Sequence, residues 1–372
     1  LAALTTANIV GLTTATVAAL GSDQMVALGS DASAFGTGNL AALTTSNIKG
    51  LSTAALSALS SDQVGALGSD TAALNSQQFA ALTTANMQGL DATAVGNFNS
   101  AQISALGSDA SGLSTAALAA LTTLNVKGLT TGALAALDSA QVTALGADAG
   151  GLTTPQLPAM TYVNVAGLTT SAIIRLGSDQ VAALGADAVG LASDALAALT
   201  SVNVKGLTTA AIAALSTAQV AAMGGVVLKL DTTDLTALTT ANIVALSTAQ
   251  VAALSTAQLQ ALSNTQVAAI ATDDIKAIST SNITALTTSQ VQALNTAAVN
   301  ALTTAQVMAL STTQVGVLTT GEVAALSTSQ VASLSTSQVK VLSVDQLVAM
   351  SDAQVNAMTT TQIAALTNTQ LV

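Results

Sequence analysis

From residue 238 onward, a large aliphatic side chain returns at every eighth position without exception, from Leu238 through Ile270, Ile278, Met350 and Met358 to Leu366. Five residues after each comes a second aliphatic, from Ile243 through Val251 and Val307 to Leu371. The phrases LSTAQVAA (246–253), LTTAQVMA (302–309) and LSTSQVAS (326–333) follow one another in this register with no insertion. A period so short and so strict confines the chain to a repeat architecture. No eight-residue unit can bury a core alone, so each must bury one against its neighbours.

The unit reads as one short capped helix. Numbered from the large aliphatic, slot two is Ser, Thr or Asn everywhere except Ala271. Slot five is Gln or Glu except at Asn242, Asp274, Asn282 and Ala298. Ser or Thr followed three residues later by Gln or Glu is the capping box, and the aliphatics of slots one and six then occupy the two positions of a hydrophobic staple. In residues 254–261, Leu254 staples to Leu259, with Ser255 and Gln258 forming the box between them. A strand reading competes, because Thr and Val favour sheets and short repeats also build β-solenoids. Strict alternation, however, would place slots one and six on opposite faces of a strand, and Ala and Gln favour helix. The expected fold is an all-α superhelical solenoid with about one helix per octad; the alternative is a β-solenoid.

The first 238 residues carry the same octad inside a longer cycle. Steps of eight, eight, eight and fifteen recur from Leu4, Leu43, Leu82, Leu121, Met160 and Leu199, totalling thirty-nine residues. The cycle is thus five octads less one residue, and the short member is a Gly-rich heptad such as GSDASAF (29–35) or GSDASGL (107–113). The organisation is therefore a super-repeat array over 1–238 and a strict octapeptide array over 239–372, in one solenoid. GGVVLKL (224–230) replaces the Asp-bearing heptad and reads as a register change rather than a linker. Both ends fall inside a repeat, Leu1-Ala2-Ala3-Leu4 at one and Thr369-Gln370-Leu371-Val372 at the other, as expected of a segment of a longer array.

Three series ride on the long period. Asn8, Asn47, Asn86, Asn125, Asn164, Asn203 and Asn242 form a stacked ladder if thirty-nine residues make one turn; otherwise they are relics of a duplicated module. Gly11, Gly50, Gly89, Gly128, Gly167 and Gly206 sit where a left-handed C-cap belongs. Asp31, Asp70, Asp109, Asp148 and Asp187 either meet helix N-termini or resemble a calcium-loop fragment, although one Asp per cycle is sparse for six to eight oxygen ligands. Pro155 is tolerated in a first turn, whereas Pro158 removes a helix hydrogen bond and should shorten or distort its unit.

Composition excludes most chemistry. The chain has no His and no Cys, hence no imidazole base, no thiol nucleophile and none of the usual soft metal or haem ligands. Nearly every polar residue is accounted for by its slot, so no catalytic, cofactor-binding or metal site is expected and the protein reads as non-enzymatic. Eighteen acids against seven bases give a net charge of −11, which argues against nucleic acid and against an anionic membrane surface. Polar slots interrupt every apolar run, so membrane insertion is not expected. Lys49, Lys127, Lys205, Lys276 and Lys340 share slot seven with Gln260, Gln292, Asn300 and Asn356, the pattern of a solvated face. Asn282-Ile283-Thr284 fits a glycosylation sequon, of the kind a Thr-rich chain produces by chance.

Octads such as LSTAQVAAL and the variant LGSDQVAAL (176–184) resemble the tandem octapeptide repeats of very large secreted bacterial surface and adhesin-like proteins. The resemblance implies an extracellular or cell-surface location and a structural role in a filament, sheath or surface layer, with an adhesin stalk or ligand-binding scaffold as the alternative. It implies no cofactor. With only 7% charged residues and small side chains outside, self-association into a filament or layer is the expected partnership.

The octad reading expects slots one, six and eight to face inward and slots three and seven outward. Leu302→Asp should therefore lower the unfolding free energy by on the order of 3 kcal/mol or more, as an unpaired buried charge does. Thr304→Asp should leave it nearly unchanged. Chemical denaturation of the two variants checks the assignment.

Overall fold

The computed structural model describes residues 3–371. Leu1, Ala2 and Val372, on which the reading of the termini partly rests, lie outside them. The described residues form short α-helices and 3-10 helices and no strand, an all-α solenoid as the cap pattern requires.

Each octad closes as its residues dictate. In the helix Thr304–Ala309 the Thr303 hydroxyl accepts the Gln306 N–H at 3.1 Å, and Gln306 Oε1 accepts the Thr303 N–H at 2.7 Å. Ser255 and Gln258 make the same reciprocal pair at 3.2 and 3.0 Å, with Leu254 and Leu259 both buried. The helix ends because two consecutive residues leave helical space. Leu310 (φ −54°, ψ 137°) and Ser311 (φ −67°, ψ 157°) are extended, and the next helix, Thr312–Gly316, starts at once. Side-chain capping and two extended residues thus make the corner, with no left-handed residue.

The chain divides after Leu207 into two compact units, whereas the sequence pattern changes at residue 238. In the second unit each helix packs on the one three octads later: Thr296–Ala301 on Thr320–Ala325, and that on Val344–Val348. Three octads therefore make one turn. In the first unit Thr53–Ala58 lies between Gly29–Ala34 and Ser76–Phe79, and Thr131–Ala136 lies on Gly107–Gly112, the same three-unit spacing. Five units per super-repeat do not match three per turn, so residues thirty-nine apart do not stack. The ladder of Asn side chains does not form.

Slots one and six line the core, with Leu302 only 5% exposed, while Thr304 and the slot-seven Lys276 and Lys340 are exposed. Slot eight departs from expectation. Ala285, Ala309 and Ala325 are only half-buried, and the third inward position is slot five, buried at Gln306, Gln314, Gln330 and Gln338.

The glycine roles also exchange. The residues with positive φ are Gly29, Gly68, Gly107, Gly146, Gly185 and Gly224, which open the seven-residue units. Leu28 stays helical there and Gly29 adopts φ 56°, ψ −132°, a region open essentially to glycine, so that one residue turns the corner that two turn elsewhere. Gly224 keeps this conformation although its heptad has lost the Asp. Gly50, Gly89, Gly128, Gly167 and Gly206 are not left-handed caps. They are needed for close approach: a Cβ at Gly128 would overlap the Ser100 carbonyl oxygen one turn away and come within 2.7 Å of Ile103 Cβ. The proline unit is distorted as expected. Its helix shrinks to the 3-10 turn Leu157–Ala159, where equivalent units hold the α-helices Ser76–Phe79 and Thr115–Leu118.

Gly128→Ala should destabilise by roughly 2 kcal/mol or more, since backbone must shift to admit the methyl group. Gly225→Ala should be neutral, because nothing lies within 4 Å of the added Cβ and Ala147 and Ala186 stand at the equivalent places. Thermal melts of the two variants distinguish them.

Candidate functional site

A four-turn-long helix hides most of its backbone polar groups internally; a helix of five or six residues cannot. Four N–H groups at its start and four C=O groups at its end have no partner within it, so a large share of an octad's peptide groups must be satisfied from outside the helix. The slot-five side chain is placed to answer both ends at once. Gln338 is 2% exposed. Its Oε1 accepts the N–H of Ser335 at 2.7 Å, completing the capping box at the start of its own helix. Its Nε2 donates to the carbonyls of Val307 (2.9 Å), Met308 (3.3 Å) and Leu310 (2.7 Å), where the helix of the preceding turn ends.

The same brace recurs at several further rungs. Gln290, Gln306, Gln314, Gln330, Gln354 and Gln362 each donate to carbonyls 31, 30 and 28 residues earlier. The asparagines of the long period are the short form of this brace. Asn203 Oδ1 accepts the Thr200 N–H at 2.7 Å, while Nδ2 donates to Ile173 O at 2.8 Å and Leu176 O at 3.0 Å. Asn86 and Asn164 do the same. The sequon residue Asn282 is another member: it is buried, with Nδ2 2.7 Å from Leu254 O, so folded protein offers no free amide there.

Two aspartates of the long period also make turn-to-turn contacts. Asp109 Oδ1 accepts from both the N–H and the hydroxyl of Thr84, and Asp148 Oδ1 accepts the Thr123 N–H at 2.7 Å. These aspartates meet the start of a neighbouring helical unit rather than one another. No group of three or more metal-ligating side chains gathers among the described residues. At slot seven the five lysines are exposed, and Lys276 pairs with Asp273 at 2.9 Å on the surface. Two amides of that slot do more than face solvent: Gln260 Nε2 reaches Ala285 O at 2.8 Å and Asn300 Nδ2 reaches Ala325 O at 2.7 Å.

Two carboxyls occupy slot five where burial disfavours charge. Burial raises the Glu322 pKa above the ordinary glutamate range, against hydrogen bonds from the Thr319 backbone and hydroxyl that lower it. Burial also raises Asp234, followed by the neighbouring Asp231 charge and its hydrogen bond.

The capping box shows slot five as a cap but not as a brace, because a box uses only the side-chain oxygen. The signal lay in the choice of amide over acid. A box accepts Gln or Glu alike, yet Glu322 is the only glutamate in the chain; a donor nitrogen is being selected.

The ALTTAQ repeat family model matches residues 1–30, 33–69, 188–224, 227–264, 267–304, 291–320, 320–352 and 340–368. The chain belongs to this repeat family. No curated protein and no solved structure matches it. No helix among the described residues is long and apolar enough to cross a membrane.

Gln338→Ala should cost roughly 1–3 kcal/mol by leaving buried carbonyls without their donor. Lys340→Ala, two residues on and exposed, should cost less than about 0.5 kcal/mol. Urea midpoints of both variants test whether the brace contributes to stability.

Proposed function

We propose that this ALTTAQ-repeat protein is a non-enzymatic structural element of an extracellular filament, sheath or surface layer, with copies of itself as its partners. The observation that carries the reading is the brace. Its bonds run from one turn of the stack to the next, so each turn is tied to its neighbour through side chain and backbone as well as by apolar contact. An array built this way resists being pulled apart turn by turn and gains length simply by adding octads.

The exterior supports the same reading. Slots three, four and seven present mostly Thr, Ser, Ala and Gln, with few charges to hold copies apart. Small side chains can also be held in lateral contact at low entropic cost. Polar groups are spent on rungs and caps rather than converging on a pocket, which suits a scaffold better than a catalyst. An adhesin stalk, the second reading, draws on the same axial ties and differs in needing no lateral contact.

Electron microscopy of the native full-length protein, with light scattering over a range of concentrations, separates these. Filaments or layers, and scattering mass that rises with concentration, are the expected result. Rods that stay monomeric at every concentration would overturn self-assembly and favour the stalk.

A further inference from the structure

Glu322 occupies a slot built for a donor. The neighbouring rungs Gln314 and Gln330 each place Nε2 against the slot-one carbonyl 28 residues earlier, at 2.8 Å on Leu286 and 2.6 Å on Leu302. By the same register the carbonyls assigned to Glu322 are those of Val291, Gln292 and Leu294. Its Oε2 accepts the Thr319 N–H at 2.6 Å, so the capping half of the rung is intact. An ionised carboxylate has no hydrogen to give to the other half, whereas a protonated carboxyl has one. The residue is only 3% exposed, so little water reaches the place of the missing donor.

We infer that Glu322 is a proton-operated rung: protonated, its carboxyl donates to the Leu294 carbonyl and closes the brace, and ionised, it leaves that corner of the turn unclosed. The proton is exchanged with solvent and no other group changes state. No opposite charge is available to hold the carboxylate instead. The helix Thr320–Ala325 packs on Thr296–Ala301 and Val344–Val348. The first carries no titratable side chain and the second only Asp345, which is exposed; Asp352, in the helix whose Gln354 braces Val323, is exposed as well. No basic side chain lies on any of these helices. Burial favours the neutral form in the folded chain.

The sign follows from linkage. A carboxyl whose folded pKa lies above its unfolded value contributes stability that is complete below the unfolded value and is lost as pH rises through the folded one. Acidification should therefore tighten this part of the array while ionisation loosens it.

Because Glu322 is the sole glutamate of the 372-residue sequence, glutamate labelled with carbon-13 at the carboxyl reports it alone in that chain. Its resonance should titrate above the ordinary glutamate value. Glu322→Gln, which restores the common rung, should match the unaltered protein in urea midpoint at about pH 4 and exceed it increasingly towards about pH 8. The opening of that gap should follow the titration of the resonance. A carboxyl that titrates at or below the ordinary value, or a gap that is the same at every pH, would overturn the proposal.

Discussion

The side-chain amide at slot five is the interaction on which the rest of the structure depends. Helices of five or six residues are individually unfavourable, because nucleation fixes several residues for the first hydrogen bond and little propagation follows. Their peptide groups must be satisfied from outside. The slot-two hydroxyl and the slot-five oxygen take N–H groups at the start of a helix, and the slot-five nitrogen gives to C=O groups at the end of another. One residue type thereby couples local helix formation to stacking. An octad whose glutamine has no preceding turn to reach keeps its cap but loses its brace, so a unit gains its full stability only within a stack.

The same constraint explains why the two parts of the sequence look different yet fold alike. In the strict array the brace reaches back 31 and 28 residues, as from Gln290 to Leu259 and Leu262. Where a seven-residue unit intervenes it reaches back 30 and 27, as from Asn86 to Leu56 and Leu59. The deletion shortens the path by one residue while the target carbonyls remain the same. What makes this possible is the positive-φ glycine, which turns a corner with one residue fewer. Gly224 shows that the conformation, rather than the Asp of the GSD phrase, is the essential part, since it persists where Val226 has replaced the acid.

Local features were legible in the sequence, and longer-range ones only in part. The cap, staple and helix at Leu254-Ser255-Gln258-Leu259 follow from residues three to five apart, and the structure has them as read. The distortion at Pro158 was equally local. Slot eight was misjudged because Ala is compatible with a half-buried position as well as a core one. Gly50 and Gly128 were misassigned because close approach to Ser22 and Ser100 is a contact between turns, which no local motif encodes. The asparagine series misled by its period: thirty-nine is a period of the gene-like pattern, whereas the turn contains three units, and each Asn answers a backbone carbonyl instead of its own kind. The inward half of slot five was visible only as a preference of Gln over Glu.

Once core and brace are assigned, the freedom left in the octad becomes definite. Slots one and six are held by packing, slot two by the cap, slot five by the brace, and slot eight by the approach of neighbouring turns. Slots three, four and seven face outward, and slot three, the first helical position, is mostly Thr, with Asn264, Val344 and Asp352 among the exceptions. Slot seven holds Lys276, Thr284, Gln292, Asn300, Met308 and Gly316 in successive copies, a range of charge, size and polarity that the apolar slots one and six do not show. Slot four runs through Ala257, Thr265, Asp273 and Ser281 in the same way. Whatever distinguishes one stretch of this array from another to a partner must therefore be written chiefly in slots four and seven, because the third outward position is mostly Thr and the other positions hold the stack together.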